Sequence, residues 1–131
     1  MSTKMVVFDV FDTLFANTHD YWRESFIRVC ADQKLQVEPS TLWDVWLPKE
    51  REFRARRLDV ETMIPGRFES YSDVWRDCFA RAFDELGMEG DANAANELCL
   101  ADFADRPPFT ETLDVIAQLK GKWPMAILSN A

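Results

Sequence analysis

Two short apolar runs at opposite ends of the sequence constrain the fold most. Met5-Val6-Val7-Phe8 ends abruptly on Asp9, and Met125-Ala126-Ile127-Leu128 ends on Ser129-Asn130. Each is too short for a helix and too apolar for a surface loop. Both read as buried strands of a parallel sheet, which need no polar alternation. What separates them has helical periodicity, so the expected class is α/β.

The clearest helix carries Tyr71, Val74, Trp75, Cys78, Phe79, Ala82, Phe83 and Leu86 at spacings of three and four, and Gly87 stops it. Thr18 caps an earlier helix bearing Trp22, Phe26, Val29 and Cys30. Pro39-Ser40 opens another with Leu42, Val45 and Trp46, which Pro48 should kink or stop, and Lys49–Leu58 reads as more helix. Pro65-Gly66 reads as a turn, and Asp91 caps a helix with Ala95, Leu98, Cys99 and Phe103. After the stiff Pro107-Pro108 break, Thr110 starts a helix with Leu113, Ile116 and Leu119, closed by Gly121. The expected organisation is a Rossmann-like core, incomplete in this chain, from residues 1–16 and 107–131, with an all-helical cap at 17–106 inserted after the first strand.

Composition narrows the function classes. Ten Phe, five Trp and two Tyr among 131 residues favour a packed core over disorder. A net charge of -8 repels phosphate backbones and anionic lipid, so neither nucleic acid nor membrane is the expected partner. Residues 1–8 carry no signal-peptide pattern, and the expected location is cytoplasmic. Cys30, Cys78 and Cys99 fall on apolar helix faces without CxxC spacing, and read as buried free thiols of a reducing compartment.

The chemistry gathers at the strand ends. Ligands of open parallel sheets bind outside the carboxyl ends of the strands. Asp9 and Ser129-Asn130 would both lie at that edge. A partly desolvated Asp there can act as a covalent nucleophile. Thr13, in the following loop, can hold its carboxylate or donate to a developing anion. Ser129 and Asn130 offer a hydroxyl, an amide and backbone N–H groups to an anionic substrate. The plainer readings are a strand-ending turn for Asp9, a loop cap for Asp12-Thr13 and ordinary loop polarity for Ser129-Asn130. In the run Lys49–Arg57, Glu50 with Arg54 and Glu52 with Arg56 read as pairs on a solvated helix face. His19 reads as a first-turn helix residue.

Asp9-Val10-Phe11-Asp12-Thr13-Leu14 resembles the first motif of the haloacid dehalogenase-like hydrolases, and Leu128-Ser129-Asn130 resembles the second. Pro107–Ala131 resembles the family's linker, helix and second strand, and Tyr71–Met88 a cap helix of the L-2-haloacid dehalogenase branch. The resemblance implies catalysis through an aspartyl-enzyme ester. Asp9 would be the nucleophile, Thr13 its hydrogen-bonding partner, and Ser129 and Asn130 the groups that bind the substrate's anionic part. Family phosphatases place a second Asp two residues after the nucleophile, as acid and as a backbone ligand of Mg²⁺. Here that position is Phe11, which moves no proton. The dehalogenase branch shows an aromatic there, in an apolar substrate pocket, and uses no metal.

Departures from that branch are Asp12, where it usually has Gly, and Leu47, near its halide-binding arginine, with Arg51 and Arg54 displaced from that point. The family's downstream lysine and acidic motif would lie beyond Ala131, so the chain reads as an N-terminal portion with impaired turnover. The expected function is hydrolysis of a small anionic substrate such as a 2-haloacid, and the resemblance suggests a homodimer. The alternatives are a Mg²⁺-dependent phosphatase-like hydrolase, with Asp9 and the Phe11 carbonyl at the metal, and an inactive fragment serving as an interaction module.

Overall fold

The computed structural model describes residues 4–57 and 68–129. Asn130 and the Pro65-Gly66 turn lie outside the described residues. The described elements are β1 (Val6–Phe8), α1 (His19–Asp32), α2 (Pro39–Arg57), α3 (Tyr71–Glu85), α4 (Ala92–Ala104), α5 (Thr112–Leu119) and β2 (Met125–Ile127). The chain divides into two compact units, one of Met1–His19 with Phe103–Ala131, the other Asp20–Asp102.

The first unit is built on β1 and β2, paired in parallel with Val6 opposite Met125, Val7 opposite Ala126 and Phe8 opposite Ile127. Val6 N–H donates to the Pro124 carbonyl and Leu128 N–H to that of Phe8, each at 2.9 Å, so the pairing runs to the edge of Asp9. The expected full burial of these strands is not observed: Val7 is 52% exposed and Ile127 64%. The reason is physical. Two strands and α5 supply too little apolar surface, among the described residues, to cover both faces of a sheet. Helix α5 begins at Thr112 rather than Thr110, and its Leu113 is likewise exposed.

The second unit is held by an aromatic core. Trp22 and Phe26 of α1, Trp46 of α2, and Trp75 and Phe79 of α3 are all buried. Their rings meet at 5.1 Å for Trp22–Trp75, 5.4 Å for Phe26–Phe79 and 5.6 Å for Trp46–Phe79. Such offset and edge-on contacts add to what area burial alone contributes. Helix α2 packs against α3.

Helix α2 passes through Pro48 instead of ending there. Proline removes one N–H and crowds the preceding turn. Leu42 and Trp46 before the proline, and Glu50 and Phe53 after it, are all buried, so continuous packing outweighs that local cost. The Lys49 ammonium donates to the Val45 carbonyl at 2.9 Å, satisfying an acceptor in the disturbed turn. Continuity also overturns the solvated reading of Glu50. It is 4% exposed and pairs with Arg54, because the same turn that buries Phe53 turns Glu50 inward. Glu52 and Arg56 do lie on an exposed face, 4.0 Å apart.

The helix ends follow local chemistry. Ser70 caps α3 by accepting Asp73 N–H at 3.1 Å and donating to the Asp73 carboxylate at 2.7 Å. That pair holds the Asp73 carboxyl below its ordinary value, the Ser70 hydrogen bond contributing most. Past the end of α3, Gly87 takes φ 65°, a left-handed conformation that glycine adopts without strain. The Asp91 carboxylate accepts from Asn93 N–H at 2.9 Å and Ala94 N–H at 3.0 Å, opening α4.

Candidate active site

The site grows from the loop that leaves β1. Beyond Phe8 the chain turns at once: Leu14 N–H and Phe15 N–H both donate to the Val10 carbonyl, at 2.7 and 3.0 Å. Asp12 N–H donates to the Phe15 carbonyl at 2.7 Å, and Asn17 N–H to the Asp12 carboxylate at 2.9 Å. Thr13 is thereby set above Asp9, and its hydroxyl donates to the Asp9 carboxylate at 3.2 Å. The two residues that the motif singles out are in contact.

The segment after Arg106 pins this loop from outside. Ala16 N–H donates to the Pro107 carbonyl, and Phe109 N–H to the Leu14 carbonyl, each at 3.0 Å. The same Leu14 carbonyl accepts the Thr112 hydroxyl at 2.8 Å, in a buried bond. Thr112 therefore serves as a fastener for the loop that follows β1. Sequence reading places the helix start at Thr110 and misses this role. The signal available was a hydroxyl residue two positions further, inside the first turn.

Asp9 is exposed rather than partly desolvated, for the same reason that β1 is not enclosed. Phe11 is half-buried, and its ring lies 4.0 Å from that of Phe103 with an interplanar angle of 31°. Ser129 follows β2, and the Leu128 bond to Phe8 brings the end of β2 level with the end of β1. Asp9 and Ser129 therefore follow the carboxyl ends of neighbouring parallel strands. His19 stands at the first position of α1 and is exposed.

Several other groups are engaged in structure. Arg54 pairs with Glu50, and Arg56 with Glu52 and Glu69. Leu47 is a half-buried residue of α2. Cys30, Cys78 and Cys99 are buried. Burial raises the Cys30 thiol, with Glu38 adding to it, and burial pushes Cys78 up to about 11, which leaves both as poor nucleophiles near neutral pH. Among the described residues, no three His, Cys, Asp or Glu side chains cluster as a metal site, and no helix is long and apolar enough to cross a membrane.

No family model matches the sequence, and no curated protein does. Solved structures do match. An L-2-haloacid dehalogenase (RSc1362) is 25% identical, with a TM-score of 0.64 over 100% of this chain and 54% of that one. The L-2-haloacid dehalogenase from Xanthobacter autotrophicus is 22% identical, with a TM-score of 0.63 over 99% of this chain and 47% of that one. YfnB from Bacillus subtilis, a HAD-hydrolase bound to magnesium, is 16% identical, with a TM-score of 0.64 over 98% and 53%. The chain thus spans about half the length of the structures it matches. A parallel strand pair, a tight loop after the first strand and an intervening block of helices make this the haloacid dehalogenase-like α/β fold, over about half of its length.

Proposed function

We propose that this chain carries the nucleophile-bearing half of a haloacid dehalogenase-like hydrolase acting on a small anionic substrate such as a 2-haloacid. One observation supports the reading above the others. Asp9 stands where β1 ends with the Thr13 hydroxyl on its carboxylate, and the residue two positions on is Phe11.

In the first step an Asp9 carboxylate oxygen attacks the halogen-bearing carbon. The new C–O bond forms as the carbon–halogen bond breaks, and halide leaves with the electron pair. Thr13 orients the attacking carboxylate. Ser129 and Asn130 hold the substrate's own carboxylate. In the second step water adds to the Asp9 acyl carbon, releasing the 2-hydroxy acid and regenerating the carboxylate. Halide departs as a stable anion and takes no proton, which suits a site with Phe11 in place of an acid. The chemistry requires no cofactor. The buried cysteines fit a reducing, cytoplasmic setting.

The test is a pair of assays on the same preparation: halide release from an L-2-haloacid, and Mg²⁺-dependent phosphate release from a phosphomonoester. Halide release, or one equivalent of bound halide-free acid, is expected, and Asp9→Asn should lower it by about a thousandfold or more. Mg²⁺-dependent phosphate release without halide release would replace this reading with the phosphatase one. A folded protein that does neither and self-associates would leave it an interaction module.

A further inference from the structure

We propose that Asp12 is a positioning residue whose carboxylate serves as an amide acceptor and not as a proton donor. The proposal deepens the reading of Asp9 as nucleophile, and its kinetic arm rests on that reading.

Three observations carry it. Asp12 has φ 60°, a left-handed conformation that side chains other than Asn and Asp rarely tolerate. Its carboxylate accepts Asn17 N–H at 2.9 Å, closing the loop five residues on. Its own N–H donates to the Phe15 carbonyl at 2.7 Å. One carboxylate oxygen and the backbone N–H of Asp12 therefore shape the loop. The backbone rotation at Asp12 sets the direction of the next residue, Thr13, whose hydroxyl reaches Asp9 at 3.2 Å. The position asks for glycine on backbone grounds, and Asp offsets its strain with the bond to Asn17.

The consequence concerns the substrate. Phe11 has no titratable group, and the Asp12 carboxylate is directed at Asn17. Neither residue protonates a leaving group. The site is then restricted to leaving groups that depart as stable anions, which excludes unactivated alkoxides.

Three variants of the full chain test this, Asp12→Asn, Asp12→Gly and Asp12→Ala, with two readouts. The first is amide hydrogen exchange at Asn17 by NMR. The second is the rate and pH profile of adduct formation on Asp9 with an L-2-haloacid. Asn keeps an acceptor oxygen and tolerates the left-handed backbone, so Asn17 protection and the pH profile should match the parent within about twofold. Gly keeps the backbone but not the acceptor, so Asn17 should exchange roughly tenfold faster. Ala loses both, and adduct formation should fall about tenfold or more as Thr13 moves off Asp9. Release of an unactivated alcohol from an alkyl phosphomonoester by the parent, lost in an Asn variant whose Asn17 protection is intact, would make Asp12 a proton donor and overturn the proposal. If the parent forms no adduct, the nucleophile reading fails. The exchange series still decides the role of Asp12, because an Asn variant as unprotected as Ala would overturn it.

Discussion

Within residues Asp20–Asp102, Trp46 and Trp75 keep 1% and 2% of their surface exposed, while in the strand unit Ile127 and Leu128 keep 64% and 74%. Both units draw on apolar sequence of similar strength. They differ in how many neighbours the chain supplies. Three helices can enclose an aromatic cluster by packing on one another, because each needs to bury only one face. A parallel strand must be covered on two faces and paired on two edges. Among the described residues, the helical unit therefore encloses an aromatic core, and the strand unit holds its geometry through backbone bonds around the Asp9 loop. Stability should reside in the helical unit.

Substitutions can break that contrast, and the largest effect belongs to the aromatic core. Trp46→Ala should cost about 3–5 kcal/mol in urea unfolding followed by far-UV circular dichroism, since the ring contacts Trp22, Trp43 and Phe26 as well as α3. A cost below about 1 kcal/mol would mean that the cluster does not carry the unit. Next comes Gly90→Ala. A methyl there would sit 2.6 Å from the buried Phe83 ring, and the ring must shift, so a loss of about 1–3 kcal/mol is expected by the same method.

Ser70→Ala removes the α3 cap and should cost about 1 kcal/mol near neutral pH. It also has a pH signature. The Asp73 carboxyl is held below its ordinary value of 3.8, chiefly by Ser70. A group lowered on folding stabilises above its unfolded value and loses that contribution as pH falls through its folded one. The gap between parent and Ser70→Ala should therefore narrow in thermal melts taken below pH 3.8. The smallest effect is expected at the sheet. Ile127→Thr, on an exposed strand position, should change stability by no more than about 0.5 kcal/mol. A loss several times larger would show that β2 is buried against something.

How much of this was legible in the sequence depended on the range of the forces involved. The period of α3, the Gly87 stop and the Asp91 cap are decided within a few residues, and they read correctly. The strand ends were legible too, because an apolar run that stops on Asp9 has few other uses. Pro48 does not stop the helix, because its local cost is outweighed by Trp46 and Phe53 packing on both sides, which no local pattern reports. Glu50 misled for the same reason. Burial of β1 was expected from its composition, but burial depends on what covers a strand. Within the site, the motif brought Asp9 and Thr13 to notice, and the loop brings them together. Thr112 went unnoticed, since its bond to Leu14 spans 98 positions of sequence.

The reading of Asp9 as a nucleophile can be tested without waiting for turnover. The protein is incubated with an L-2-haloacid, quenched in acid and digested, and the peptide containing Asp9 is weighed and fragmented by mass spectrometry. The expected result is a covalent adduct equal to the acid without its halogen, placed on Asp9, absent from Asp9→Asn and matched by released halide. If label appears only on other residues, or if Asp9→Asn is modified as readily as the parent, Asp9 is not the nucleophile and the proposed chemistry is wrong.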